Sequence, residues 1–149
     1  MRSFEVSPLK GVQPILLGMS RAESRQRMNS PFESYEKTPG QPVDAYLDSA
    51  FQVFFDSSGA VEYIELSKCT DFSARLLGRN VFAVPAQELI LQLSSETDLE
   101  SDDGGYSFLS HELSLSLWRP VLPASLQDED GRFFETVGVG VRGYYASAT

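Results

Sequence analysis

Cysteine and histidine are nearly missing: Cys69 and His111 are the only ones among 149 residues. A lone cysteine closes no internal disulfide and builds no thiolate metal cluster, which fits a reducing compartment. A single histidine leaves any serine or cysteine nucleophile one imidazole to serve as its base, and no Gly-x-Ser-x-Gly surrounds a serine. His111 stands beside Glu112, which a strand would turn to the opposite face, so a surface role is expected of it. Long apolar runs are absent too. Nothing approaches the roughly 20 consecutive apolar residues that span a bilayer, and MRSFEVSPLKGVQ lacks the apolar centre of a signal peptide. A cytoplasmic chain is expected. No glycine-rich loop is placed to cradle phosphate: Gly104-Gly105 leads into a strand and Gly138-x-Gly140 lies inside one. No catalytic, cofactor-binding or metal-ligating residue is assigned, and no cofactor is expected.

Positive charge is scarce, with 12 Lys and Arg against 21 Asp and Glu for a net −9. Residues 1–55 are balanced, so residues 56–149 carry the whole excess. Such a field repels phosphate backbones and anionic lipid and attracts a basic protein. Neither a nucleic-acid nor a membrane partner is expected.

The clearest structural signal is FQVFFDSSGAVEYIEL, residues 51–66: two runs rich in β-branched and aromatic residues around a short polar turn ending in Gly59. That pattern predicts a β-hairpin. An isolated ribbon is marginal in water, so other elements must cover it. Before it, residues 11–18 form a short apolar run whose Pro14 suits an edge strand or a strand's beginning. Ser20 followed by Glu23 reads as a capping box opening a helix to about Met28, with Arg21, Arg25 and Arg27 facing water. Residues 29–44, rich in Ser, Pro and Gly, read as a loop. Phe32 and Tyr35 within it are either anchors to the core or contacts for a partner.

After the hairpin, residues 80–84 (NVFAV) suggest a short strand. Pro85 then opens a second helix that buries Leu89, Ile90 and Leu93. Alternation of Leu113, Leu115 and Leu117 with Ser114, Ser116 and Trp118 predicts a half-buried strand, and residues 133–141 the last one. Gly138 and Gly140 should leave space on its other face for a close neighbour. Tyr144 and Tyr145 should pin the tail. These elements predict a single α+β domain over 1–149, mainly an antiparallel sheet with two short helices packed on it. The succession apolar run, helix, hairpin occurs twice and admits a β-α-β-β duplication.

Residues 94–105, SSETDLESDDGG, hold Glu96, Asp98, Glu100, Asp102 and Asp103. Asp98, Glu100 and Asp102 have the alternate spacing of a calcium loop, but Asp103 occupies the sixth position, where glycine is needed, and Leu109 the twelfth, where a bidentate glutamate is needed. The stretch therefore reads as a solvated loop or an acidic docking surface, with Asp128, Glu129 and Asp130 of a second acidic turn beside it.

The series GVQPILLGMSRAESRQRM, DAYLDSAFQVFFDSSGAVEYIEL, GRNVFAVPAQELILQL, DDGGYSFLSHELSLSLWRP and VGVGVRGYY resembles a group of small bacterial proteins that are similar to immunity proteins of toxin systems. The resemblance implies a small, acidic, cytoplasmic, non-enzymatic protein that neutralises a basic toxin domain. It defines no functional residue. The alternative expectations are a structural or self-assembling regulatory domain, using a sheet edge or the 29–44 loop, and an enzyme working through carboxylates.

Overall fold

The computed structural model describes residues 2–145. In chain order, β1 (Arg2–Ser7), β2 (Gly11–Val12) and β3 (Ile15–Leu16) precede α1 (Arg21–Met28). Then come β4 (Phe32–Glu36), β5 (Pro42–Tyr46), β6 (Phe51–Phe55), β7 (Val61–Ser67), β8 (Phe72–Leu76) and β9 (Arg79–Asn80). Finally α2 (Ala86–Ser94) leads to β10 (Ser107–Ser110), β11 (Leu115–Trp118) and β12 (Thr136–Gly140). The strands form two sheets, in the orders β3-β2-β1-β8-β9 and β10-β11-β12-β7-β6-β5-β4. Every pairing is antiparallel except β1 with β8, which makes this an α+β fold with mainly antiparallel sheet.

The hairpin β6-β7 is in the middle of the larger sheet, where both faces must be covered. One face presents Phe51, Val53, Phe55, Ile64 and Leu66 to the main core, which both sheets share: Phe4 of β1 sits edge-on to Phe51, centroids 4.9 Å apart. The other face holds a smaller cluster of Val43, Phe54 and Tyr63. The turn closes as the sequence suggests, with the Asp56 carboxylate accepting from the amides of Ser58 and Ala60 at 2.9 and 3.0 Å. On β12, a Cβ at Gly138 would overlap the Tyr63 ring and one at Gly140 the Tyr144 ring. The expected close neighbour is thus aromatic. Tyr144 stacks flat on Tyr63 at 4.7 Å, and the Tyr145 hydroxyl donates to Ser116 Oγ at 2.8 Å, so both pin the tail.

Several local expectations are corrected. Residues 29–44 are no loop: they hold β4 and most of β5, paired from Phe32↔Tyr46 to Glu36↔Pro42. Exposed residues 37–40, Lys-Thr-Pro-Gly, lie in the turn of a hairpin whose outer strand is not buried. Residues 11–18 are two short strands folded back around Gln13-Pro14, not one strand. Residues 81–84 form a turn, because the Asn80 side chain accepts from the Phe82 amide at 3.1 Å. Strands β1 and β8 are not among the expected elements, although Phe4 and Val6, and Phe72, Ala74 and Leu76, alternate with polar residues. The expected repeat of apolar run, helix and hairpin is not found in the elements read for it: β4-β5 stand between α1 and the β6-β7 hairpin, and residues 81–84 are a turn.

Helix α1 starts as read: Ser20 is its cap, and its Oγ accepts from the Glu23 amide at 3.1 Å. Its arginines are not all solvated, however. Asp44 on β5 is fully buried. Arg25 Nε donates to it at 2.7 Å, Arg21 Nη2 at 2.9 Å and Ser34 Oγ at 2.8 Å. Burial alone would push the Asp44 carboxyl up, but these donors outweigh it and hold the group below its ordinary value. Arg21 also lies over the Phe55 ring at 5.2 Å and Arg25 over Phe32 at 4.5 Å. Tyr46, beside this cluster, is pushed up to about 12 by burial and by Asp44, and its hydroxyl has no partner among the described residues. Helix α2 follows Pro85 and buries Ala86, Leu89 and Leu93, with Ile90 half-buried.

Candidate functional site

The acidic residues gather at the end of the molecule formed by two loops, 95–106 before β10 and 119–135 before β12. Residues 96–132 contain nine carboxylates against two arginines. Some of these acids are spent on the loops themselves. Asp103 accepts from the Ser107 hydroxyl at 2.6 Å, the Ser107 amide at 3.0 Å and the Ser101 hydroxyl at 3.1 Å, which together hold its carboxyl down at about 2. Asp128 accepts from the amides of Ala124 and Asp130 at 2.9 and 3.0 Å, and these bonds lower its pKa. Glu100 is 3.3 Å from His111 Nε2, and Glu129 is 3.9 Å from Arg132. Among the described residues, Glu96, Asp98, Asp102, Glu112 and Asp130 are left with exposed carboxylates and no side-chain partner.

One side chain ties the two loops together. Arg119, 9% exposed, donates from Nε to the Gly105 carbonyl at 2.9 Å and from Nη1 to the Gly131 carbonyl at 3.0 Å, while its amide reaches the Tyr106 carbonyl at 2.9 Å. Its guanidinium lies 5.7 Å from the Phe134 ring and 6.0 Å from Phe108. No carboxylate pairs with it among the described residues, and burial lowers its pKa, yet an arginine so placed keeps its proton. The chain packs closely around this cation. Gly131 has φ +77°, and a Cβ there would overlap the Val121 carbonyl; a Cβ at Gly105 would stand 3.4 Å from Leu122 Cδ2.

Apolar side chains emerge on the same segments. Of the ten large hydrophobic residues exposed among those described, five fall between 106 and 126: Tyr106, Trp118, Val121, Leu122 and Leu126, the last 77% exposed. Exposed apolar residues scattered singly are ordinary, and these five follow one another within a short stretch of chain. The acids were legible in the sequence; the exposed apolar residues of the 119–135 loop and the role of Arg119 were not. The signal for the former was RPVLPASL: two prolines forbid a strand there, so Val121, Leu122 and Leu126 had no sheet to bury them.

Phe32 and Tyr35 lie elsewhere. They are on β4, one edge of the seven-stranded sheet, whereas the acidic loops flank β10 at the other edge. With six strand spacings between those edges the separation is about 29 Å, so no single small contact includes both groups. Both side chains are exposed; the Tyr35 hydroxyl donates to Gln52 Oε1, and Phe32 packs 5.5 Å from Tyr46.

The remaining reactive groups are dispersed. Cys69 is half-buried and accepts from the Asp71 amide at 3.4 Å, and His111 is exposed with Glu100 beside it. Among the described residues no group of three His, Cys, Asp or Glu could hold a metal ion. Shallow clefts among the described residues include one of about 450 Å³ beside Gln41, Glu62 and Arg142 and one of about 630 Å³ beside Phe32, Glu33, Asp48 and Asp71. Neither contains the histidine or the thiol. No helix among the described residues is long and apolar enough to cross a membrane. Against known proteins, no family model, no curated protein and no solved structure matches this chain.

Proposed function

We propose that this chain is a non-enzymatic protein-binding domain of the cytoplasm that neutralises a basic toxin domain, as an immunity protein does. The observation that supports this most is the pair of loops held by Arg119, on which Val121, Leu122 and Leu126 are exposed along with the uncompensated carboxylates of Glu96, Asp98, Asp102 and Asp130. Opposite charge accelerates encounter, while desolvated apolar and aromatic anchors slow release. A surface already tied together loses little further freedom on binding.

The test is co-purification with the basic C-terminal domain of a secreted toxin encoded beside this chain, at low and moderate salt, followed by titration calorimetry. Binding is expected, with an association rate that falls as salt rises. Leu126→Asp should weaken the complex at least about tenfold, or 1.4 kcal/mol, without changing the melting temperature. Recovery of no complex at either salt would remove the reading.

A further inference from the structure

The two edges of the seven-stranded sheet differ in how their outer backbone is used. At β10 the edge is occupied: the Glu100 amide donates to the Leu109 carbonyl at 2.9 Å, and the Leu109 amide to Glu100 at 2.8 Å. At β4 it is open. The Lys37 amide donates to the Gln41 carbonyl at 3.1 Å, and bonded pairs alternate along an antiparallel ladder, so Glu33 and Tyr35 are the residues bonded to β5. The amides and carbonyls of Phe32, Ser34 and Glu36 then point away from the sheet, and nothing among the described residues meets them. All five residues of β4 are exposed, and the strand contains no proline, lysine or bulge, the usual means of blunting an edge.

We propose that this edge pairs with the same edge of a second copy of the chain, antiparallel, about a two-fold axis through Ser34. The segment FESYE is complementary to itself in that register. Phe32 faces the partner's Glu36, Glu33 faces the partner's Tyr35, and Ser34 faces the partner's Ser34. Phe32, Ser34 and Glu36 are the outward residues and also the members of the bonded pairs, so every free amide and carbonyl of the edge gains a partner. No carboxylate lies directly opposite another, which would oppose pairing.

The charges outside the strand fit the same register. Arg25 lies 4.5 Å over the Phe32 ring, on the face that Phe32, Ser34 and Glu36 share. The partner's Glu36, opposite Phe32, therefore meets that guanidinium, and the two-fold repeats the contact. On the other face Lys37 lies diagonal to the partner's Glu33. The pairing thus matches charge locally although each chain carries −9. The acidic loops, about 29 Å away at the far edge, lie beyond a screening length of about 8 Å at physiological salt. This arrangement is independent of toxin binding, which uses the opposite edge.

The test is sedimentation equilibrium over a wide concentration range, joined to amide hydrogen exchange by NMR. The expected result is a monomer–dimer equilibrium in which the Phe32, Ser34 and Glu36 amides exchange more slowly as the dimer fills. The Glu33 and Tyr35 amides should be slow at every concentration. Glu36→Lys, which sets a second cation against Arg25, and Glu36→Pro, which removes an outward donor without touching the β5 ladder, should sediment as one chain where the wild type sediments as two. Unchanged circular dichroism would show both variants folded. A strict monomer at all concentrations overturns the proposal. So does a dimer that survives Glu36→Lys, or one in which exchange at the three amides does not change.

Discussion

The buried carboxylate of Asp44 makes the sharpest demand on the fold, and Arg25→Met tests it. Removing one member of a buried ion pair costs about 3–5 kcal/mol, because the remaining charge is left without compensation. Here Arg21 stays 2.9 Å from Asp44, and the Arg25 side chain is 36% exposed and so already partly solvated. The cost expected at pH 7 is therefore smaller, about 2–3 kcal/mol. With a urea slope near 2 kcal/mol per molar, the midpoint should drop by about 1–1.5 M. The pH dependence distinguishes an electrostatic loss from lost packing. In the wild type the Asp44 carboxyl is held below its ordinary value, so it adds stability above the unfolded pKa of about 3.9, and that stability is lost as pH falls through the folded value. Without Arg25 the carboxyl loses the largest of the donors that oppose its burial, so it is depressed less than in the wild type. The gap to wild type should therefore be small in strong acid, where the carboxyl is protonated, and open as pH rises through the wild type's folded value toward the unfolded one. Adding Asp44→Asn should recover part of the loss, since Arg21 can reach water. A gap that is constant with pH, or a double variant no more stable than Arg25→Met alone, would refute the reasoning.

Three further outcomes can be checked directly. Gly138→Val places a branched side chain where the Tyr63 ring lies and should destabilise by about 1–3 kcal/mol, with a changed tyrosine signal in near-ultraviolet dichroism. Arg119→Met removes both carbonyl contacts between the 95–106 and 119–135 loops; limited proteolysis should cut within residues 119–132 faster than in wild type, while global unfolding shifts less. The Asp103 carboxyl, followed by carbon NMR, should titrate near pH 2 and not near 4. Because that value is depressed, the order of the 101–107 turn is present above pH 4 and lost as pH falls toward 2, when exchange at the Ser107 amide should quicken.

How much of this was legible depended on whether a residue's partner was near it in sequence. The β6-β7 hairpin, the Ser20 cap, the α2 face and the glycine gap on β12 follow from spacing or turn chemistry within a few residues, and all are found. Strands β4 and β5 were missed because an edge strand needs no apolar face: every residue of β4 is exposed, while the burial of Asp44 depends on arginines nineteen and twenty-three positions away. Strand β1 bonds in parallel to β8 across some seventy residues, and no local pattern announces such a pair. At the acidic end the carboxylates were visible and their division of labour was not. Whether Asp103 serves a serine or Asp102 faces solvent is settled by turn geometry, and Arg119 gains its place only when Gly105 and Gly131 are brought to either side of it.

The position of β12 has a consequence for how the chain acquires its shape. This strand, the last among the described residues, enters between β11 and β7 and not at a margin. The ribbon β10-β11 and the meander β4 to β7 can each assemble early, yet they stay unjoined until residues 136–140 are present to bridge them. Folding during synthesis must therefore wait for its keystone, and a nascent chain stopped before that segment holds two half-sheets whose unsatisfied flanks invite mispairing.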